Sequence, residues 1–155
     1  MKNALSRFNV RVYGLLINEH NQVLVADEVF KNGNRATKFP GGGLELGEGT
    51  KEGLIREFKE ETGIDVTVQE HFYTTDFFQA SYFDNDSQII SIYYKAESKD
   101  WKQISVSNQK FDFTAIPGQE AESFRWVYVR ELENEEDITL PIDKVVVAKL
   151  LNEKR

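Results

Sequence analysis

The order of apolar and polar residues predicts several short strands early and late in the chain. Residues 9–17 (NVRVYGLLI) alternate and then run apolar, and a polar turn at 18–22 separates them from the apolar run 23–26, which predicts two strands joined as a hairpin. Further strand candidates are residues 36–39, 66–68, 72–78, 89–94 and 124–129, with a turn at 84–86 between the third and fourth of these.

Two helices interrupt this series of strands. In residues 50–62, Leu54, Ile55 and Phe58 form an apolar stripe at helical spacing, and Gly63 follows where a helix often ends on a residue with positive φ. Residues 140–151 predict a closing helix with Pro141 in its first turn. We therefore expect one α+β domain over residues 1–155, with a mixed sheet covered by helices on both faces.

Composition narrows the classes of function. The net charge is −7 and no cluster of Lys or Arg is present, which argues against a nucleic-acid polymer or an anionic membrane surface as partner. With no cysteine, thiol nucleophiles, disulfides and cysteine-based zinc sites are excluded. The chain shows neither a signal-peptide pattern nor an apolar run long enough to span a membrane, so we predict a cytoplasmic protein. The sequence leaves a homodimer open.

Candidate chemistry concentrates on the central helix. Glu57, Glu60 and Glu61 stand at positions i, i+3 and i+4, so they share one edge of the helix beside the buried stripe. Taken alone, such a group is more often a solvated acidic face. Carboxylates in this arrangement also suit a hard divalent cation such as Mg²⁺, which takes oxygen ligands and bridges them to substrate phosphates.

The residues before this helix support the second interpretation. The glycines at 41–43 allow the backbone to approach closely and to offer a carbonyl oxygen. Glu48 can reach the guanidinium of Arg56, and a bidentate pair of this kind would hold the loop to the helix.

These residues together match a known motif. Gly42, Glu48, the run Arg56-Glu57-Phe58, the pair Glu60-Glu61 and Gly63-Ile64 occur at the spacing of the Nudix box, so the chain resembles the Nudix hydrolases. The resemblance implies an α/β/α sandwich. It also implies a pyrophosphohydrolase that uses Mg²⁺ or Mn²⁺ to cleave nucleoside diphosphates linked to another moiety, either nucleoside triphosphates or nucleotide sugars.

The resemblance assigns roles by position. Glu57, Glu60 and Glu61 would bind metal, the Gly42 region would add a backbone oxygen, and Arg56 and Glu48 would brace the helix. Family members often supply another carboxylate from a loop facing the box, and the segment PGQEAES favours Glu120 for this role, with Glu122 as the alternative. Relative to the family pattern, Gly49 and Gly53 replace residues that would favour the helix, and we expect them to weaken its first turn.

Two other classes of protein remain as alternatives. One is a nucleotide-sensing module that keeps the fold without catalysis, although a sensor has no need of three intact carboxylates. The other is a calcium-dependent interaction domain suggested by Asp84 and Asp86, which Ile89 disfavours because a calcium loop needs glycine at that position. The sequence does not identify the substrate.

Overall fold

The computed structural model describes residues 5–153, and in this range seven strands and two helices are formed. The strands are β1 (Arg7–Leu16), β2 (Gln22–Val29), β3 (Arg35–Lys38), β4 (Gly41–Gly43), β5 (Thr67–Thr74), β6 (Ser87–Glu97) and β7 (Ala121–Tyr128), and the helices are α1 (Thr50–Thr62) and α2 (Pro141–Leu151). Short 3₁₀ helices occupy Trp101–Gln103 and Val129–Asn134. No helix in residues 5–153 combines the length and the hydrophobicity needed to cross a bilayer.

The strands form two sheets. A four-stranded sheet has the order β4-β1-β6-β5, in which β1 and β6 are parallel and the other pairs are antiparallel. A three-stranded antiparallel sheet has the order β3-β2-β7. The mixed sheet and the two helices confirm the predicted α+β sandwich, whereas the second sheet was not predicted.

Each helix covers one of two hydrophobic clusters. The cluster under α1 contains Leu54 and Phe58 with Val12 and Leu16 of β1, and the cluster under α2 contains Val146 and Leu150 with Tyr13 and Leu15, also of β1. Strand β1 is thus buried on both faces in its second half, which explains why its pattern changes from alternating to continuously apolar.

The predicted helix at residues 50–62 is confirmed at both ends. Glu52 accepts a hydrogen bond from the N–H of Gly49 at 2.7 Å, and Gly63 ends the helix with a φ of 78°. Leu54 and Phe58 are buried as expected, but Ile55 is 39% exposed, so the stripe is narrower than predicted.

The predicted hairpin of the first two strands is wrong. β1 and β2 lie in different sheets, and their chain segments pair only through one isolated bridge between Ile17 and Val23. Their alternation could not reveal this, because strands at the centre of either sheet are apolar in the same way. The predicted strand at 72–78 also ends early, at Thr74, and Phe77 and Phe78 are exposed in the connection to β6.

Candidate active site

A cavity of about 400 Å³ lies between β4, helix α1 and one face of the three-stranded sheet. Its charged lining combines two cations with carboxyl groups from four elements or loops. These are Arg11, Lys38, Glu28, Glu57, Glu61, Glu120 and Glu122.

Arg56 holds the loop before α1 to the helix. Its Nε and Nη2 donate to the two carboxylate oxygens of Glu48 at 3.0 and 2.7 Å, which is the predicted bidentate pair. Nη2 also donates to the carbonyl oxygen of Gly43 at 3.1 Å, and Nη1 donates to Glu57 at 3.3 Å and Glu60 at 3.2 Å. The hydrogen bonds from Arg56 lower the pKa of Glu48 to about 2.

The glycines of β4 determine how closely the helix approaches. A Cβ placed on Gly42 would lie 2.4 Å from Oε2 of Glu57, so a larger residue here would force this carboxylate out of its position. Gly53 has a similar role, since a Cβ there would lie 2.7 Å from Leu44 and 2.9 Å from Glu48. The expectation that Gly53 weakens the helix stays a prediction, but the structure adds a packing role, because alanine at this position would force the side chains of Leu44 and Glu48 to shift.

The register of β4 indicates which backbone oxygen faces the helix. Val12 lies opposite Gly42. On one side of this pair the N–H of Gly14 donates to the carbonyl oxygen of Pro40, and on the other side the N–H of Leu44 donates to the carbonyl oxygen of Val10. In an antiparallel ladder this makes Val12 and Gly42 a hydrogen-bonded pair, so the Gly42 carbonyl points to β1. The Gly43 carbonyl points the other way, toward Arg56, and alternation gives the Gly41 carbonyl the same direction.

Three carboxyl groups meet inside the cavity. Glu57 and Glu61 of α1 line it together with Glu122 of β7. Burial raises the pKa of Glu61, and the charge of Glu122 adds to this effect. Burial also raises the pKa of Glu122, with a further contribution from Glu28. Without a cation, these groups can approach one another only by sharing protons.

Lys38 is the buried cation at the floor of this cluster. Its side chain is 4% exposed, and its Nζ lies 3.5 Å from Oε2 of Glu28 and 5.0 Å from the centre of the Tyr13 ring. Burial disfavours the charged ammonium group, but the charges of Glu28, Tyr13 and Glu61 together outweigh this effect and raise the pKa of Lys38. Lys38 also lowers the pKa of Glu61 and of Glu122, against the stronger effects that raise them.

The structure separates the residues that the helix pattern had grouped. Glu57 and Glu61 face the cavity, whereas Glu60 is 59% exposed and turned toward Arg56. Glu120 lies in the loop before β7, exposed at the mouth of the cavity. Glu122 is the more enclosed of the two loop candidates, because it alternates with Phe124 on the face of β7 that turns inward.

Sequence reasoning missed Arg11, Glu28 and Lys38. Glu28 lies opposite Glu122 in the sheet, and Lys38 lies opposite Ala26, two residues before Glu28, so all three share one face. The available signal was strand alternation, since Leu24, Ala26 and Glu28 occupy every second position of β2 and the last of them is charged.

The sequence profile of the NUDIX domain matches residues 7–150, which is nearly the whole chain. The chain belongs to the Nudix family. The resemblance seen in residues 42–64 is thereby confirmed, and the cavity described above is formed around this Nudix motif.

Solved structures of Nudix proteins share the fold. A NUDIX hydrolase from Nitrosomonas europaea matches with a TM-score of 0.65 and 18% identity, covering 92% of this chain and 87% of that chain. The MutT protein (family Nudix hydrolase) of methicillin-resistant Staphylococcus aureus 252 matches with a TM-score of 0.63 and 22% identity, covering 97% and 99%. At these identities the likeness establishes the fold alone.

One curated relative shares a shorter segment. The 8-oxo-dGTP diphosphatase of Proteus vulgaris is 42% identical over 55 residues, which make up 35% of this chain and 49% of that protein. The match thus spans about half the length of this curated relative.

The oxygen groups of this Nudix cavity fit a hard divalent cation. Burial and neighbouring negative charge raise the pKa of Glu61 and of Glu122, and a bound Mg²⁺ or Mn²⁺ would offset this negative charge and favour the ionised carboxylates. In residues 5–153, however, no three acidic or imidazole side chains are already gathered to hold an ion. Arg56 partly explains why these side chains are not gathered, because it binds Glu60 and one oxygen of Glu57.

Proposed function

We propose that this Nudix protein is a divalent-metal-dependent pyrophosphohydrolase that cleaves a phosphoanhydride bond of a nucleoside diphosphate derivative. The observation that carries the proposal is that Glu57, Glu61 and Glu122 line one cavity beside Arg11, which forms no ion pair with a carboxylate of residues 5–153. The prediction that the protein acts in the cytoplasm on a small nucleotide, and not on a nucleic-acid polymer or a membrane, belongs to the same proposal.

The reaction would be hydrolysis at phosphorus. A water oxygen forms a bond to one phosphorus atom, the bond from that phosphorus to the bridging oxygen breaks, and the leaving phosphate takes the bridging oxygen. Bound Mg²⁺ or Mn²⁺ would make the water more acidic and offset the charge of the phosphate oxygens. Glu57 and Glu61, with Glu60 and the backbone oxygen near Gly42, would hold the metal, and the strand register favours Gly41 as the source of this oxygen.

The remaining residues of the motif would keep this geometry. Arg56 binds Glu48, Glu57, Glu60 and the Gly43 carbonyl, so its side chain ties the helix to the loop and to β4. The proton released by the attacking water needs a carboxylate that is not occupied by metal, because a bound cation stabilises the ionised form and makes a weak base. We keep Glu120 as the proposed base, since it is exposed at the mouth where a substrate enters. Glu122 is the competing candidate.

The substrate that we propose to test first is an oxidised purine nucleoside triphosphate. The reason is the short segment shared with the 8-oxo-dGTP diphosphatase of Proteus vulgaris. Nucleotide sugars such as ADP-ribose are the second group.

The test is a panel of 8-oxo-dGTP, dGTP and ADP-ribose, incubated with Mg²⁺, with Mn²⁺ or with EDTA, and separated by anion exchange to identify the products. We expect hydrolysis with either metal and none in EDTA. Glu57→Gln should lose activity by orders of magnitude, while Glu70→Gln, an exposed glutamate of β5, should keep it. Full activity in EDTA would refute metal dependence, and tight binding without hydrolysis would support the nucleotide-sensing alternative.

A second comparison identifies the base. Glu120→Gln and Glu122→Gln are measured at saturating substrate and metal, where the loss of a general base lowers kcat by about 10²- to 10⁴-fold. A loss confined to Glu120→Gln supports the proposed role, and a loss confined to Glu122→Gln transfers it. If neither variant loses activity, the base must be Glu57 or one of its neighbours on α1.

A further inference from the structure

Arg11 stands out among the arginines that the fold encloses. Arg56 and Arg125 are each bound by two or more carboxylates at distances of 2.6 to 3.5 Å. For Arg11, no carboxylate of residues 5–153 forms such an ion pair, and its Nε donates to the hydroxyl oxygen of Tyr13 at 2.5 Å. A guanidinium has five N–H donors, so most donors of Arg11 are free to bind an acceptor from outside the chain.

The guanidinium of Arg11 lies against two aromatic rings. Its carbon lies 4.1 Å from the centre of the Phe83 ring and 5.7 Å from that of Tyr13. Cation–π contacts of this kind, with the hydrogen bond to Tyr13, restrict the guanidinium while leaving its other N–H groups available. The side chain is therefore oriented in advance, which reduces the entropy lost when it binds an anion.

Arg11 also marks the boundary between two cavities. It lines the cavity that holds the carboxyl groups, and its stacking partner Phe83 lines a second cavity of about 630 Å³. The second cavity is lined by Phe30, which packs edge-on against Phe83 at 5.2 Å, and by side-chain amides. Aromatic faces and amide groups suit a planar heterocycle, whereas the first cavity suits phosphate groups.

Of the two cations that line the first cavity, Arg11 is the one that a substrate anion can reach. Lys38 also lines this cavity, but its side chain is 4% exposed and faces Glu28, so an entering anion has little access to it. Arg11 faces the same space, and although the charges of Glu28 and Glu57 raise its pKa, no carboxylate of residues 5–153 forms an ion pair with it. A phosphoanhydride that enters between the carboxyl groups would otherwise meet mainly negative charge.

We propose that Arg11 is a substrate-binding residue that grips two non-bridging phosphate oxygens with parallel N–H bonds, at the junction of the carboxyl-lined and aromatic cavities. The inference rests on the proposed function. It predicts that the scissile phosphate lies over the carboxyl groups and that the rest of the nucleotide extends past Arg11 toward Phe83. The residue is not part of the Nudix motif, and no helix or loop pattern in the sequence singled it out.

Binding is measured apart from catalysis, with inorganic pyrophosphate and a methylene-bridged nucleoside triphosphate titrated in a calorimeter in the presence of Mg²⁺. Arg11→Met should weaken both ligands by about 10- to 100-fold, because it removes two charge-assisted hydrogen bonds. Arg11→Lys keeps the charge without the paired donors and should fall between Arg11→Met and the wild type. In turnover, KM should rise more than kcat falls.

The matched control is Arg130→Met. Arg130 also stacks on a ring, 4.3 Å from the centre of Tyr128, but it lines neither cavity. If Arg11→Met binds both ligands as tightly as Arg130→Met, the proposed role is wrong. If Arg11→Met does not fold, Arg11→Lys decides, and binding equal to the wild type then overturns the proposal.

The two proposals can fail separately. If the wild type binds pyrophosphate through Arg11 but hydrolyses nothing, the hydrolase proposal fails and the role of Arg11 stands. If the wild type hydrolyses nucleotides but Arg11→Met binds both ligands as tightly as the wild type, the role of Arg11 fails and the hydrolase proposal stands.

Discussion

Arg125→Met should destabilise the fold by breaking a buried ion pair beneath the candidate site. Arg125 of β7 donates from Nε and Nη2 to the two oxygens of Asp27 on β2, at 2.6 and 2.9 Å, and Asp27 has no exposed surface. Thr37 and the N–H of Phe111 also donate to Asp27, at 2.6 and 3.3 Å. These two neutral donors remain in the variant, but no cation faces the carboxylate.

The size of the effect follows from what Asp27 can do without Arg125. A buried carboxylate that has lost its partner typically costs the fold about 3–5 kcal/mol. It can escape part of this cost by binding a proton, which costs about 4 kcal/mol at pH 7 for a group whose ordinary pKa is near 3.9. We therefore expect a loss of roughly 3–4 kcal/mol, a large part of the roughly 5–15 kcal/mol that stabilises a typical domain.

The pH dependence has a definite sign. The hydrogen bonds from Arg125 and Thr37 outweigh the effect of burial and lower the pKa of Asp27, so its contribution to wild-type stability is present above about pH 4 and is lost as the pH falls. In Arg125→Met the same carboxyl group must be protonated or stay unpaired, and protonation becomes easier in acid. The difference in stability between the two proteins should therefore be largest at neutral pH and shrink toward pH 4.

Urea unfolding followed by tryptophan fluorescence at pH 7, 5.5 and 4 measures this difference. Arg130→Met is the control for loss of an exposed arginine and should change the unfolding free energy by less than about 0.5 kcal/mol. The double variant Asp27→Asn/Arg125→Met should recover much of the loss, because it removes the buried charge as well. Stability equal to the wild type at pH 7, or a deficit that grows toward pH 4, would refute the reasoning.

Two further predictions test the site and the second core. Gly42→Ala should lower kcat sharply without unfolding the protein, because its Cβ would displace the Glu57 carboxylate. Gly43→Ala is the control and should lower kcat far less, since the nearest atom to its Cβ is 3.8 Å away. Equal losses of kcat in the two variants would contradict this explanation. Burial raises the pKa of Asp143 to about 6 against the hydrogen bond from Tyr93, so the stability contributed by its protonated form is lost as the pH rises through 6. Asp143→Asn should therefore raise stability by about 1–3 kcal/mol at pH 8 and much less at pH 4.5 in thermal unfolding, and a gain independent of pH would contradict the assignment.

The sequence by itself determined the parts of the protein that depend on near neighbours. The helix at 50–62, its end at Gly63 and the pair between Glu48 and Arg56 follow from helical spacing, backbone conformation and charges only eight residues apart. The Nudix motif is readable for the same reason, because the spacing within one loop and one helix carries it.

The tertiary structure alone decided which distant residues share the cavity. Glu28, Lys38 and Glu122 meet because β2, β3 and β7 form a sheet of their own, and Arg11 meets them from the other sheet. Strand alternation shows which residues share a face, but it does not show which strands are neighbours, since backbone hydrogen bonding is nearly independent of sequence. The same limit explains the wrong hairpin and the grouping of Glu60 with Glu61, since Glu60 binds Arg56 outside the cavity whereas Glu61 lines it.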